Sequence, residues 1–391
     1  MSSRQQRPRW QSGVPGPLAI ATVVCIAAVL ALSRTGRPSS QDGAPPASSP
    51  QPSIAPSEQA SAIPISPSAS DTPVVTGGVW YSEVSFGTWI AGRIGRPGVV
   101  PIPPGQIPIA GAANLVVAVE RTASDSRLTI INLDTHRPVV DIAVPFNVGD
   151  AAITPNGEHV YISGDDWDGA LASDAGVLEV GLDSGSLTQV VEPLTLLRDW
   201  AGWAARGMLV IAPSGKTLAT TLCGGSAPGG GGTCLVQVID LVPGRLIGSF
   251  GPITSNLAAT TDAAVLTTSE GAFRAFAPDG RELWELKVGD VRGRPAAAAD
   301  AFVVTYAAEG SLNLTRLASV QAETGRVTEL YRSEPDERLS VWPEASAADT
   351  VIVAESDLME VALGVAREVP LRMVNVTTGR IQGAGSVSRE G

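Results

Sequence analysis

Histidine occurs only twice in these 391 residues, at His136 and His159. That scarcity removes most metal and acid–base chemistry built on imidazole, including the H-E-x-x-H helix. Lysine is as rare, present at Lys216 and Lys287, and no phosphate-binding loop ending in Gly-Lys is present. A G-x-S-x-G nucleophile elbow is missing too. Charged residues make up only 17% of the chain, and they sum to −12. An acidic surface repels phosphate backbones, so nucleic acid is not an expected partner. What the chain does hold is apolar material, at 44%, with 42 glycines and 30 prolines. The apolar share is ample for a core, and the glycine and proline suit a protein with many turns. Arginine taking nearly every basic position, with much Ala and Gly, fits a high-GC bacterial genome.

Long apolar runs are missing except for one, LAIATVVCIAAVLAL, from Leu18 to Leu32. Arg4, Arg7 and Arg9 precede it, and Arg34 and Arg37 follow. About 15 apolar residues is short for a spanning helix and also suits the core of a signal peptide. Val29 and Ala31 offer a small-residue cleavage site, whereas the long basic leader favours an uncleaved anchor. In both readings the rest of the chain is exported, because the arginines stay inside. Cys25 follows Val24, not the small residue a lipoprotein site wants, so lipidation is not expected. From about Ser39 to Thr72 the composition narrows to Ser, Pro, Ala and Gln. Such a segment cannot bury enough surface to offset its ordering entropy, and reads as a disordered, partly extended stalk. The expected organisation is a basic cytoplasmic leader at 1–17, a hydrophobic anchor or signal at 18–33, a linker at 34–78 and a folded domain at 79–391. That places the chain in a cell membrane, single-pass, with the large domain extracytoplasmic.

Within the large domain, short apolar runs alternate with turn chemistry and no strong amphipathic helix stands out. One unit is clear: RLTIINLDTHRPVVDIAV, Arg127 to Val144, leads into AAITPNGEHVYISG, Ala151 to Gly164. An inner turn at Pro155-Asn156-Gly157 recurs as Pro213-Ser214-Gly215. An outer turn at Asp134-Thr135 recurs as Asp183-Ser184-Gly185, Pro243-Gly244-Arg245, Pro278-Asp279-Gly280, Glu323-Thr324-Gly325 and Thr377-Thr378-Gly379. Gly95-Arg96-Pro97-Gly98 fits as a first copy. Tight hairpins need positive φ, which explains the Gly, Asn and Asp. Small-residue runs mark the segments expected innermost: Ala151-Ala152, Ala258-Ala259, Ala296 to Ala299, and Ala345, Ala347 and Ala348. Four short strands per unit, repeated about every 45 residues with small residues at the centre, predict an all-β domain, a β-propeller of about seven blades. The competing architecture is a β-sandwich or two stacked β domains. The first blade lacks its own innermost strand, and residues near Pro73 to Thr76 are expected to close the ring.

TPNGEHVYIS followed by LEVGLDSGSL resembles the repeat of YVTN-type propellers, and GAFRAFAPDGRELWEL resembles a quinoprotein-like (PQQ-type) repeat. The resemblance spans nearly all of Val79 to Gly391 through a few positions per blade. It departs at His159, near the usual basic position, and at Val242-Pro243. It implies a fold far more than an activity.

Candidate sites are few. Asp165, Asp166, Asp168 and Asp174 lie in the loop GDDWDGALASD, and carboxylates at such spacing can ligate Ca²⁺. The full pattern would need a ligand at 164, where Gly164 stands, so a solvated acidic loop is preferred and no metal site is assigned. Trp167 inside that loop, and Trp200 and Trp203 in RDWAGWAAR, suit a recognition surface or packing between blades. Trp80, Trp89, Trp284 and Trp342 read more simply as core. GGSAPGGGG, from Gly224, reads as a hairpin tip. Its flanking residues Cys223 and Cys234, alone in the exported part, are expected to form a disulfide. No cofactor is expected. The function that fits is a membrane-anchored binding or scaffolding module whose partner is an unknown protein or cell-envelope ligand. The alternative is a propeller enzyme of lactonase or quinoprotein dehydrogenase type, which would need polar groups converging at the channel mouth.

Overall fold

The computed structural model describes residues 78–391 except 86, 95, 97, 123–124, 165–176, 192–207, 224–233, 254–255, 270, 308–314, 335–336, 348, 358–367 and 389–391. The leader, the hydrophobic segment and the linker up to residue 77 lie outside the described residues, and so does the ring-closing segment expected near Pro73 to Thr76. For some strand residues, including Trp80, Cys223 and Trp342, only the backbone is described.

The described residues form strands and turns with no helix, grouped into seven antiparallel sheets. Sheet 1 has three strands, β1 (Val79–Ser85), β2 (Thr88–Arg93) and β3 (Val99–Pro101). Sheet 2 holds β4 (Ile107–Ala112), β5 (Leu115–Arg121), β6 (Ser126–Asn132) and β7 (Arg137–Val144). Sheet 3 holds β8 (Val148–Ile153), β9 (Val160–Gly164), β10 (Val177–Val180) and β11 (Leu187–Val191). Sheet 4 holds β12 (Leu209–Ile211), β13 (Thr217–Cys223), β14 (Cys234–Asp240) and β15 (Arg245–Ile253). Sheet 5 holds β16 (Asn256–Thr260), β17 (Val265–Ser269), β18 (Ala272–Phe276) and β19 (Glu282–Lys287). Sheet 6 holds β20 (Asp290–Ala298), β21 (Ala301–Ala307), β22 (Thr315–Gln321) and β23 (Val327–Arg332). Sheet 7 holds β24 (Glu337–Ala347), β25 (Thr350–Asp357), β26 (Glu368–Asn375) and β27 (Ile381–Ser388). Each four-stranded sheet is a simple meander in chain order. All seven outer turns read from the sequence fall where expected, between the last two strands of a sheet.

The first strands of sheets 2 to 7 touch one another in sequence, and β24 touches β4, so these six close a ring. Sheet 1 has no strand in that ring; its β1 packs against both β4 and β24. The small-residue runs at Ala151-Ala152, Ala258-Ala259 and Ala296 to Ala298 do lie on these inner strands. Converging strands leave little room for side chains, so small residues are selected there. Five of the six inner strands (β4, β8, β16, β20 and β24) also carry a register break against their neighbour. Such bulges bend a strand and raise its twist.

The core lies between sheets. One cluster joins Val117, Val119, Leu128 and Ile130 of sheet 2 to Ile153, Val160 and Ile162 of sheet 3. Val116 and Ala118 point the other way and pack with Val79, Ala91 and Val100 of sheet 1. Burial on both faces explains why β5 reads as the unbroken run LVVAV, where a half-exposed strand would alternate. Similar clusters join sheets 3 and 4, 4 and 5, 5 and 6, and 6 and 7. Each fully buried Val or Leu contributes roughly 1.5–3 kcal/mol.

Close contacts fix the spacing of the sheets. A Cβ on Gly111 of β4 would sit 2.7 Å from Val79 Cγ1. Trp284 of sheet 5 lies under the outer turn of sheet 6, where a Cβ on Gly325 would meet its ring at 2.7 Å. The indole Nε1 there donates to the Ala322 carbonyl at 2.8 Å. Sheets 1 and 2 are also clasped by charge. Asp134, in the β6–β7 turn, accepts from Arg93 Nη1 at 2.7 Å and from Arg96 Nη1 at 2.8 Å. Hydrogen bonding from Arg93 holds the Asp134 carboxyl below its ordinary range.

Gly111→Val should lower stability by about 1–3 kcal/mol, because the stiff Val79 side chain cannot yield cheaply; urea unfolding of the variant would measure it. The β13–β14 register sets Cys223 directly opposite Cys234. Opposed residues in such a ladder have Cα atoms about 4.5–5.5 Å apart, within disulfide reach. Mass spectrometry of the unreduced native protein should find neither thiol open to alkylation, and reduction should cost roughly 2–3 kcal/mol.

Candidate functional site

Asp165, Asp166, Trp167, Asp168 and Asp174 fall between β9 and β10, and Trp200 and Trp203 between β11 and β12; all lie outside the described residues. The strands that lead to them are described, and their register is informative. Val177 at the start of β10 pairs with Ser163 near the end of β9 and with Val191 at the end of β11. Both connections therefore leave from one end of sheet 3. The same holds along the chain, since each meander places its second-to-third and outgoing connections at one end. That end carries the long connections over 165–176, 192–207, 224–233, 308–314 and 358–367. The opposite end carries tight turns, such as the one in which Gly157 N donates to Thr154 O at 2.8 Å and the one in which Gly379 N donates to Asn375 O at 2.8 Å.

A cavity of about 140 Å³ lies where the inner strands converge. Alanines of β4, β8, β16 and β20 line it, as the small-residue runs led us to expect. Ile109, Ile153, Leu209 and Ile211 line it too, where only small residues were expected. Two charged residues also line it, Asp150 of β8 and Arg294 of β20. Both stand at register breaks: Asp150 follows the break after Val148, and Arg294 lies in the break between Arg292 and Ala296. Gly293 there takes φ 66°. Bulges of this sort re-aim side chains, and no periodic reading of the inner strands singled out either residue.

Asp150 is already at work in the framework. Its Oδ1 accepts from Ala151 N at 2.9 Å, and its Oδ2 accepts from Leu209 N of β12 at 2.8 Å. Inner strands of neighbouring sheets do not pair with each other, so an edge N–H such as that of Leu209 needs an acceptor from elsewhere. The carboxylate supplies it and ties sheet 3 to sheet 4. Among the described residues no group of three or more His, Cys, Asp or Glu is placed to hold a metal ion, and there is no helix long and apolar enough to cross a membrane. His159 is bonded to Glu179 at 2.6 Å on the surface, while His136 sits in an outer turn.

No protein-family model and no curated protein sequence matches this chain. Solved structures do. A structure from a study of two prolyl endopeptidases matches 81% of this chain and 50% of that one, at 12% identity and a TM-score of 0.50. An oligogalacturonate lyase from Vibrio parahaemolyticus matches 80% of this chain and 85% of that one, at 10% identity and a TM-score of 0.43. TolB from Acinetobacter baumannii matches 78% of this chain and 61% of that one, at 13% identity and a TM-score of 0.37. The first of these is a β-propeller protein, and the fold here, with its ring of four-stranded meanders, is propeller-like. The chain spans half the length of the first of them. Likeness at this identity concerns the fold alone.

Asp150→Ala should cost about 1–3 kcal/mol, since it strands the Leu209 N–H. Asp150→Asn, which keeps one acceptor oxygen, should cost less. Denaturant unfolding of the two variants side by side would check both.

Proposed function

We propose that this chain is a membrane-anchored, extracytoplasmic β-propeller of the YVTN or quinoprotein-like kind, and that it works as a binding or scaffolding module. The segment 18–33 holds it to the membrane, and residues 34–78 space residues 79–391 from the surface. Binding is assigned to the end of the sheets that carries the long connections, with Asp165, Asp166, Trp167, Asp168, Trp200 and Trp203 as its contact residues. The observation that supports this is the asymmetry of the two ends: tight turns at one, long connections at the other. Long connections on a rigid framework are where recognition residues concentrate. Aromatic side chains beside carboxylates give such a surface both apolar area and polarity. The partner implied is a protein or envelope component with apolar and basic surface, to match the Trp residues and the acidic loop. The channel favours binding over turnover, because its carboxylate is committed to backbone N–H groups.

The test has two arms. Protease added to intact cells should digest the domain, and deletion of residues 18–33 should stop its recovery with membranes. In-cell crosslinking should join the protein to a specific partner. That crosslink should be lost in a Trp167→Ala, Trp200→Ala, Trp203→Ala triple variant and kept in a Thr378→Ala variant at the opposite end. Protection from protease would overturn the location. Equal crosslinking of both variants, or turnover of lactones or of alcohols with a quinone cofactor, would overturn the binding role.

A further inference from the structure

Three seams between sheets share one design. The outer turn of one sheet presses on a bulky side chain from the last strand of the sheet before it: Ile142 under Gly185, Phe250 under Gly280 and Trp284 under Gly325. The seam between sheets 1 and 2 departs from it. Its outermost strand, β3, has three residues, two of them exposed. The turn residue facing it is His136, held at φ 57° where Gly185 takes 67°, Gly325 69° and Gly379 68°. A side chain in that region is uncommon, and an outlier of this kind is worth reading for function. In place of a filled contact, a cavity of about 280 Å³ opens between β3 and strands β6 and β7, with His136 on its wall.

We propose that this cavity is a binding site for an alkylammonium group. Gln106, in its wall, is 3% exposed. Its Nε2 donates to Thr129 Oγ1 at 2.9 Å, while its Oε1 has no partner. A buried acceptor left over in this way asks for a donor. Glu120 lines the same cavity; its carboxylate makes no side-chain hydrogen bond among the described residues, although its charge acts on Arg127, whose pKa it helps the Asp141 hydrogen bond to raise. Arg127 is committed to Asp141 by two bonds of 2.8 and 2.7 Å, which hold the Asp141 carboxyl below its ordinary range. Two carboxylates against one guanidinium leave the cavity attractive to a cation. Pro101, Pro103 and Pro104 complete the wall and offer apolar surface to a short alkyl stem. An anion would meet Glu120, and an apolar guest would leave Gln106 Oε1 unpaired. A primary ammonium brings three donors and one positive charge, which meet both needs. The source is a free amine or a lysine side chain on another protein.

Calorimetric titration of the full-length protein with n-butylammonium tests this, with butan-1-ol and butyrate as controls. Saturable binding of the amine alone is expected. Gln106→Leu and Glu120→Gln should each weaken it about tenfold, the loss expected for one charge-assisted hydrogen bond. Glu120 is exposed, so its variant should keep the wild-type melting temperature and remain a fair test if Gln106→Leu folds poorly. Tighter binding of an acetylated, amidated Gly-Lys-Gly peptide would assign the site to a partner's lysine, and weaker binding to a free amine; either supports the ammonium site. No saturable binding, equal binding of butanol, or Glu120→Gln binding as well as wild type would overturn it.

Discussion

Each sheet of this protein is too narrow to have an inside of its own. A four-stranded meander has two faces, and here both are apolar, so each must be covered by a neighbouring sheet. Stability therefore resides in the seams, and a seam is only as good as the spacing of its two sheets. Val79 against Gly111 and Trp284 against Gly325 are among the places where that spacing is set by direct contact. Loosening one seam would shift every sheet around the ring, because close-packed interiors transmit strain. Among the described residues sheet 1 has three strands where the later sheets have four. The ring of inner strands closes where β24 meets β4, and β1 packs against both.

Much of this was legible because repetition multiplies weak signals. One Asp-Ser-Gly turn predicts little, but seven outer turns at regular spacing fix the strand order, and all seven fall between the last two strands of their sheets. The alanine runs were legible for a geometric reason: strands that converge on an axis have less room for large side chains. Yet β12, with Leu209, Val210 and Ile211, shows that the room is not used up everywhere. What periodicity could not supply was the bulges. Asp150 and Arg294 reach the channel because the inner strands break register there, and a register break leaves no mark in a pattern of period two. The cavity beside Gln106 was equally hidden. It arises from the shortness of β3 and from what faces it across the seam, neither of which is a property of one stretch of sequence.

Acidic residues carry a related lesson. The acidic loop at Asp165 drew notice because carboxylates cluster there along the chain. In the folded molecule the isolated ones are the more informative. Asp134 accepts from two arginines across the seam of sheets 1 and 2. Asp150 caps the free edge of β12. Asp262 accepts from Ser214 and Thr217, tying sheet 5 to sheet 4 at 2.7 and 2.8 Å. All three do one job. Adjacent sheets present edges and turns whose donors have no partner in their own sheet, and a short carboxylate accepts two or more of them at once.

Seen this way, the net charge of −12 is partly a consequence of the architecture. Separate sheets leave donors at the seams of sheets 1 and 2, 3 and 4, and 4 and 5, and carboxylates are compact acceptors strong enough to hold them. A carboxylate spent on that task is a poor ligand for anything else, since its lone pairs are already directed and removing it leaves a donor stranded. The carboxylates still open to a ligand are those the framework leaves unspent. Glu120 is one, at a seam where the repeat itself is broken. It stands beside a buried amide oxygen that also lacks a donor, at the same seam where Asp134 is fully engaged by Arg93 and Arg96.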